Sequence, residues 1–120
     1  MEYTNEQIIE NRRIWEKALE SGKYKKGKGR LRSENDEYCC LGVACELFGN
    51  EDVRLLYGRY LYGGYAAILT TKVVNALGLY GHDGYGKDCN TTLAGINDES
   101  DSFKPVIEAI KTGNYYKKLD

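Results

Sequence analysis

The stretch DEYCCLGVACELFG, residues 36–49, holds three of the chain's four cysteines within seven positions, and almost everything around them is apolar. Any fold must enclose it. From Leu41 the pattern is helical, with Leu41, Val43, Ala44, Leu47 and Phe48 as the apolar positions and Gly49-Asn50 as the stop. Zinc needs four ligands at tetrahedral spacing, whereas the chain offers C-C-x4-C, a distant Cys89 and one histidine, His82. On a strand, Cys39 and Cys40 would point to opposite faces and could not share an ion. A CxxC redox pair is absent, and a nucleophilic thiol would want a histidine base in an open, electropositive setting. The thiols therefore read as small buried hydrophobes where a strand enters a helix, unbridged and metal-free, with Gly42 permitting close backbone approach.

A chain of 120 residues is the size of one domain, residues 1–120, able to bury one modest core. Its net charge of -1, from 17 basic and 18 acidic side chains, counts against a dedicated nucleic-acid binder, leaving only the local basic run 25–32 for a polyanion, and gives no attraction to an anionic membrane. No apolar run approaches the ~18 residues of a membrane span. The polar, acidic start MEYTNEQIIENRR lacks the charge-then-apolar order of a signal peptide. A cytoplasmic protein with reduced cysteines is expected. Eleven tyrosines stand against two phenylalanines, which suits surfaces that are half apolar and half wet, such as binding sites and oligomer interfaces.

Thr4 and Gln7 form a capping box ahead of a helix over about 5–20, with Ile8, Ile9, Trp15, Ala18 and Leu19 as its stripe and Gly22 as its stop. GRLR and EYCC flank the polar turn SEND, which predicts a short hairpin. RLLYGRYLYGGYAAI reads either as a tyrosine-rich hairpin turning at Gly58 or Gly63-Gly64, or as loops lining a cleft. Thr70 or Thr71 caps a short helix that ends at Gly78. TTLAGIND reads as a strand or strand entry, and Asp101 or Ser102 caps a last helix with Pro105 in its first turn. The expected fold is α+β, a small antiparallel sheet with N-terminal and C-terminal helices packed on it. ALESGKYKK and AIKTGNYYKK echo one another at the ends of the first and last helices. A shared helix stop explains that echo better than duplication.

Trp15, Ala18, Leu19, Gly22, Tyr24, Gly27, Gly29, Leu31, the run Tyr38–Glu46, then Leu93, Asn97, Asp98 and Ser102-Phe103 together form a pattern. It resembles a family of small, mostly uncharacterised proteins of bacteriophage and prophage genomes. Lys26 stands where that family usually has glutamine, Ile96 replaces the second leucine of its LxxLND element, and the tyrosine-rich middle has no counterpart. The resemblance implies a phage accessory protein in the bacterial cytoplasm and carries no enzymatic activity with it. By analogy of role, it suggests sequestration of a nucleotide second messenger of bacterial immunity.

A nucleotide-derived ligand wants rings for its base, cations or amides for its phosphates, and carboxylates or amides for its hydroxyls. Tyr57, Tyr60, Tyr62 and Tyr65 with Arg54 and Arg59 supply an aromatic and basic cluster; the basic run Lys25, Lys26, Lys28, Arg30 and Arg32 adds charge around glycines; Asn97-Asp98, expected on a loop, could hold hydroxyls. The same tyrosines would equally serve an oligomer or host-protein interface, and Asn97-Asp98 an Asx turn. The expected function is non-enzymatic binding of a cyclic nucleotide or ADP-ribose derivative by a homo-oligomer, with no cofactor. The alternatives are a protein-binding inhibitor of a host factor, or a small hydrolase using His82 and Asp83 or a cysteine.

Overall fold

The computed structural model describes residues 3–88 and 90–119, so Cys89 lies outside the described residues. Helix α1, Asn5–Glu20, begins as the capping box requires: the Thr4 hydroxyl accepts the Gln7 N–H at 3.1 Å, and the Gln7 side chain accepts the Thr4 N–H at 2.9 Å. It ends on Ser21 and a left-handed Gly22. The order continues β1 (Lys25–Lys26), β2 (Glu37–Tyr38), α2 (Cys40–Phe48), β3 (Val53–Leu56), β4 (Arg59–Tyr62), α3 (Thr71–Leu77), α4 (Leu93–Asp98) and α5 (Lys104–Lys111). The architecture is α+β, five helices around two small ladders.

The strands depart from a single antiparallel sheet. β3 and β4 are antiparallel, from Val53–Tyr62 to Leu56–Arg59, but β1 and β2 are parallel, Lys25 beside Glu37 and Lys26 beside Tyr38. Between β1 and β2 the chain makes a full loop, not a tight turn, so β2 arrives running the same way as β1. The hairpin expected around SEND exists within that loop: the Asp36 N–H donates to the Ser33 carbonyl, the Ser33 N–H to the Glu37 carbonyl, and Arg32 bridges Tyr38. A Ser33–Arg59 bridge then stitches this segment to β4. The β3–β4 turn falls at Tyr57-Gly58, both at positive φ, and Gly63-Gly64 make a second turn that returns Tyr65 to Tyr62.

The core gathers on α2, with Trp15 and Leu19 of α1, Leu31, Leu69, Val73 and Leu77 around α3, Leu93 of α4, and Val106 and Ile110 of α5. Cys39 does not sit on a strand. It caps α2 through its sulfur, which accepts the Gly42 N–H at 3.3 Å, and Cys40 is the first helical residue. The Cys40 peptide is held from two sides: Trp15 Nε1 donates to its carbonyl at 3.0 Å, and its N–H donates to Asn97 Oδ1 at 3.0 Å. Gly42 faces the Leu31 backbone so closely that a Cβ there would lie 1.6 Å from the Leu31 carbonyl oxygen.

Two expectations are corrected at the C-terminal end. TTLAGIND is extended only at its entry, where Thr92 bridges Tyr85; the Thr92 hydroxyl then accepts the Gly95 N–H at 2.9 Å and starts α4, whose Leu93 and Asn97, one turn apart, are both buried. Phe103, not Asp101 or Ser102, takes the cap position of α5. Asp101 is drawn away to Lys28 Nζ at 3.0 Å, while the Ser102 hydroxyl accepts the Lys104 N–H at 3.3 Å.

Candidate functional site

Arg32 is the residue at which two of the four predicted tyrosines, Tyr60 and Tyr62, meet. Its guanidinium lies 3.9 Å from the centre of the Tyr60 ring and 5.2 Å from that of Tyr38, a cation between two aromatic faces. It donates to Asp36 Oδ1 at 2.7 and 2.9 Å and faces Glu46 at 3.6 Å. Glu46 in turn accepts the hydroxyl of the buried Tyr62 at 2.7 Å. Burial works against the Arg32 charge, yet Tyr62 and Asp36 outweigh it and hold the guanidinium pKa above its usual range. Burial, reinforced by Glu46, pushes the Tyr62 phenol up.

Beside this network lies a cleft of about 380 Å³. Tyr24 and Tyr38 form one wall as an edge-to-face pair with ring centres 5.1 Å apart. Lys23, Lys25 and Arg32 bring positive charge to it, and Asp36 and Glu46 bring carboxylates. The β1–β2 ladder places Tyr38 and Lys25 on adjacent strands, and the Arg32–Tyr38 bridge fixes the cation against the ring. Rings, cations and carboxylates thus share one opening, the set that suits a base, a phosphate and sugar hydroxyls.

Of the residues singled out in the sequence, the structure brings Arg32, Tyr60 and Tyr62 together and scatters the rest. Tyr57 stands at the hairpin tip, 90 % exposed, with Arg59 also exposed and Tyr65 about half exposed. Arg30 leans on that tip, donating to the Gly58 carbonyl at 3.3 Å. The basic run forms no common cradle: Lys25 pairs with Glu37, Lys28 with Asp101, and Lys26 Nζ donates to the carbonyls of Gly27, Asn97 and Ser100, closing the end of α4. Asn97 and Asp98 are on a helix, not a loop, and serve the fold. Fully buried Asn97 accepts from Cys40 and donates to the Gly27 carbonyl at 3.0 Å, and Asp98 accepts the Gly29 N–H at 2.9 Å. The sequence does not single out Lys23, Tyr24, Asp36, Tyr38 or Glu46 as site residues. The one available signal was that Tyr38 and Glu46 bound the cysteine run and so travel with the core.

The three described cysteines lie in a closed interior. Burial pushes the Cys39 thiol up to about 11 and raises Cys40 and Cys45 in the same direction, so at neutral pH these thiols keep their protons. The exposed His82 bonds through Nδ1 to the Leu69 carbonyl at 2.7 Å. Among the described residues no group of three or more His, Cys, Asp or Glu side chains is placed to hold a metal ion, and no helix is long and apolar enough to cross a membrane.

Fold and site together define a small α+β domain built around a buried helix start, with a charged, tyrosine-walled cleft on its first ladder. A family model matches residues 5–76, more than half of the chain, and the chain belongs to that family, described as a domain of unknown function (DUF8296). Every residue lining the Arg32 cleft falls inside the matched segment. No curated protein and no solved structure matches the chain.

Proposed function

We propose that this chain is a non-catalytic binding protein that sequesters a small nucleotide-derived molecule, a cyclic nucleotide or an ADP-ribose derivative, in the cleft beside Arg32. The observation that carries this reading is the meeting of the Tyr24–Tyr38 wall with Lys23, Lys25 and Arg32 on one side and Asp36 and Glu46 on the other. The base packs on the tyrosine wall, the phosphates meet the lysines, and the carboxylates accept the sugar hydroxyls. A volume of about 380 Å³ lies within the range of small-ligand pockets. The resemblance to phage proteins supplies the setting, a bacterial cytoplasm in which such a signal is withdrawn from circulation, and a homo-oligomer is part of the same proposal. Thermal shift and calorimetry against cyclic dinucleotides and ADP-ribose derivatives test it. The expected result is stabilisation by at least one ligand, abolished in Tyr24→Ala and Lys25→Gln, with the ligand recovered intact. No stabilisation by any member of the set sinks the reading.

One observation favours a second reading, docking on a host protein. The β3–β4 hairpin exposes Leu55, Leu56 and Tyr57, with Tyr65 and Ile68 nearby in sequence and also exposed. Tyr57 moreover adopts φ 51°, a left-handed conformation that costs a non-glycine residue energy and is favoured by asparagine, not tyrosine. Stoichiometric recovery of one host protein from lysate, lost in Tyr57→Ser, separates this reading from the first.

A further inference from the structure

A second cleft, of about 650 Å³, opens where the C-terminal tail crosses α1. Arg12, Lys87, Lys117 and Lys118 bring four cations to its lining, Tyr80 and Tyr116 supply rings, and no carboxylate among the described residues lines it. The carboxylate that reaches this lining from outside is Glu16, which accepts the Tyr116 hydroxyl at 2.9 Å and offsets part of the Arg12 charge. In a chain whose acids and bases otherwise nearly balance, the three lysines still leave a local excess of positive charge. We infer that this cleft is a binding site for a compact polyphosphate, such as the pyrophosphate group of a nucleotide-sized molecule.

The lysines are not there to satisfy the end of α5. Its last carbonyls are already taken, Ala109 by the Thr112 N–H at 3.2 Å and Ile110 by the Gly113 N–H at 3.0 Å, and its last-turn base Lys111 pairs with Glu20 at 3.1 Å. Nor are they on loose chain. The Lys87 N–H donates to the Asn114 carbonyl at 2.7 Å, the Lys117 N–H to the Gly78 carbonyl at 2.7 Å, and Arg12 Nη2 to the Lys117 carbonyl at 3.0 Å. Two distant segments are thereby pinned at one rim before any ligand arrives, which lowers the entropic cost of bringing their ammonium groups to one anion. Arg12 already donates to the Leu77, Gly78 and Lys117 carbonyls and lies 4.2 Å over the Tyr116 ring. Its part is therefore the field, while the lysines make the contacts.

Titration with inorganic pyrophosphate, followed through backbone amide chemical shifts, tests the inference independently of the Arg32 cleft, whose tests use other residues and ligands. Three exposed lysines set the affinity for pyrophosphate alone on the order of millimolar. Expected are saturable shifts at residues 87, 113, 114, 117 and 118, weakened about tenfold or more in Lys87→Gln/Lys118→Gln, retained in Lys87→Arg/Lys118→Arg, and reduced by salt. No saturation up to about 10 mM, the same affinity in the Gln pair, or shifts confined to residues 23–46 would overturn it.

Discussion

The start of α2 and the β3–β4 hairpin are opposite solutions to the same problem of placing apolar side chains. At Cys39–Cys45 every residue is buried, and the Cys40 peptide is tied to Trp15 and Asn97. At Leu55–Tyr57 the apolar side chains face solvent on a strand that pairs only with β4. The middle of the most distinctive run is thus the interior framework, while its two ends, Asp36 and Tyr38 on one side and Glu46 on the other, line the Arg32 cleft. The cysteines hold the fold, and the residues that bound them carry the capacity for contact.

The severest way to break this contrast is Gly42→Ala. A methyl group 1.6 Å from the Leu31 carbonyl oxygen cannot be housed without separating α2 from the preceding segment, so a loss of about 4 kcal/mol or more is expected in urea unfolding. A loss below about 1 kcal/mol would mean that the interior is far more yielding than its geometry. The thiols sharpen the contrast next. The pKa of the Cys39 thiol is raised in the folded state, from 9.0 to about 11, so its contribution is complete below about pH 9 and is lost as pH rises through about 11. The expected loss is about 2 to 3 kcal/mol from Cys39 alone, read from urea midpoints between pH 8 and 11. Cys40, Cys45 and Tyr62 act in the same sense; Lys26, whose pKa burial lowers, acts in the opposite one. Native Cys39, Cys40 and Cys45 should label slowly with a thiol reagent at neutral pH. The smallest effect belongs to the hairpin, where Tyr57→Asn should stabilise by about 0.5 to 1 kcal/mol by relieving the left-handed tyrosine, measured by thermal unfolding. Destabilisation instead would show that Tyr57 is a structural residue and erase the contrast.

Elements with local signals were legible in the sequence. The Thr4–Gln7 box, the Thr70 cap with its Gly78 stop, and Gly58 at a hairpin turn each state their geometry within a few residues. The paired ends ALESGKYKK and AIKTGNYYKK share left-handed Gly22 and Gly113, as a common helix stop requires. α4 was not legible because its six residues carry one strong apolar contact, Leu93, and the second buried side chain is an asparagine. Nothing local says that Asn97 satisfies an N–H 57 residues away. The Arg32 cleft was partly legible: Lys25 and Arg32 were in view, as was Tyr60, which stacks on Arg32 but does not line the cleft, whereas Tyr24 and Tyr38 meet only through a parallel pairing that short-range patterning does not report.

The double tie on Cys40 also governs the order in which the chain can become native. Trp15 can reach the Cys40 carbonyl as soon as residues 5–48 are present, but the Cys40 N–H waits for Asn97, and the core waits for Leu93, Val106 and Ile110. The segment 5–76 that carries the family pattern therefore cannot close its own interior. During synthesis the apolar α2 is therefore without its C-terminal cover until Leu93, Asn97, Val106 and Ile110 have emerged.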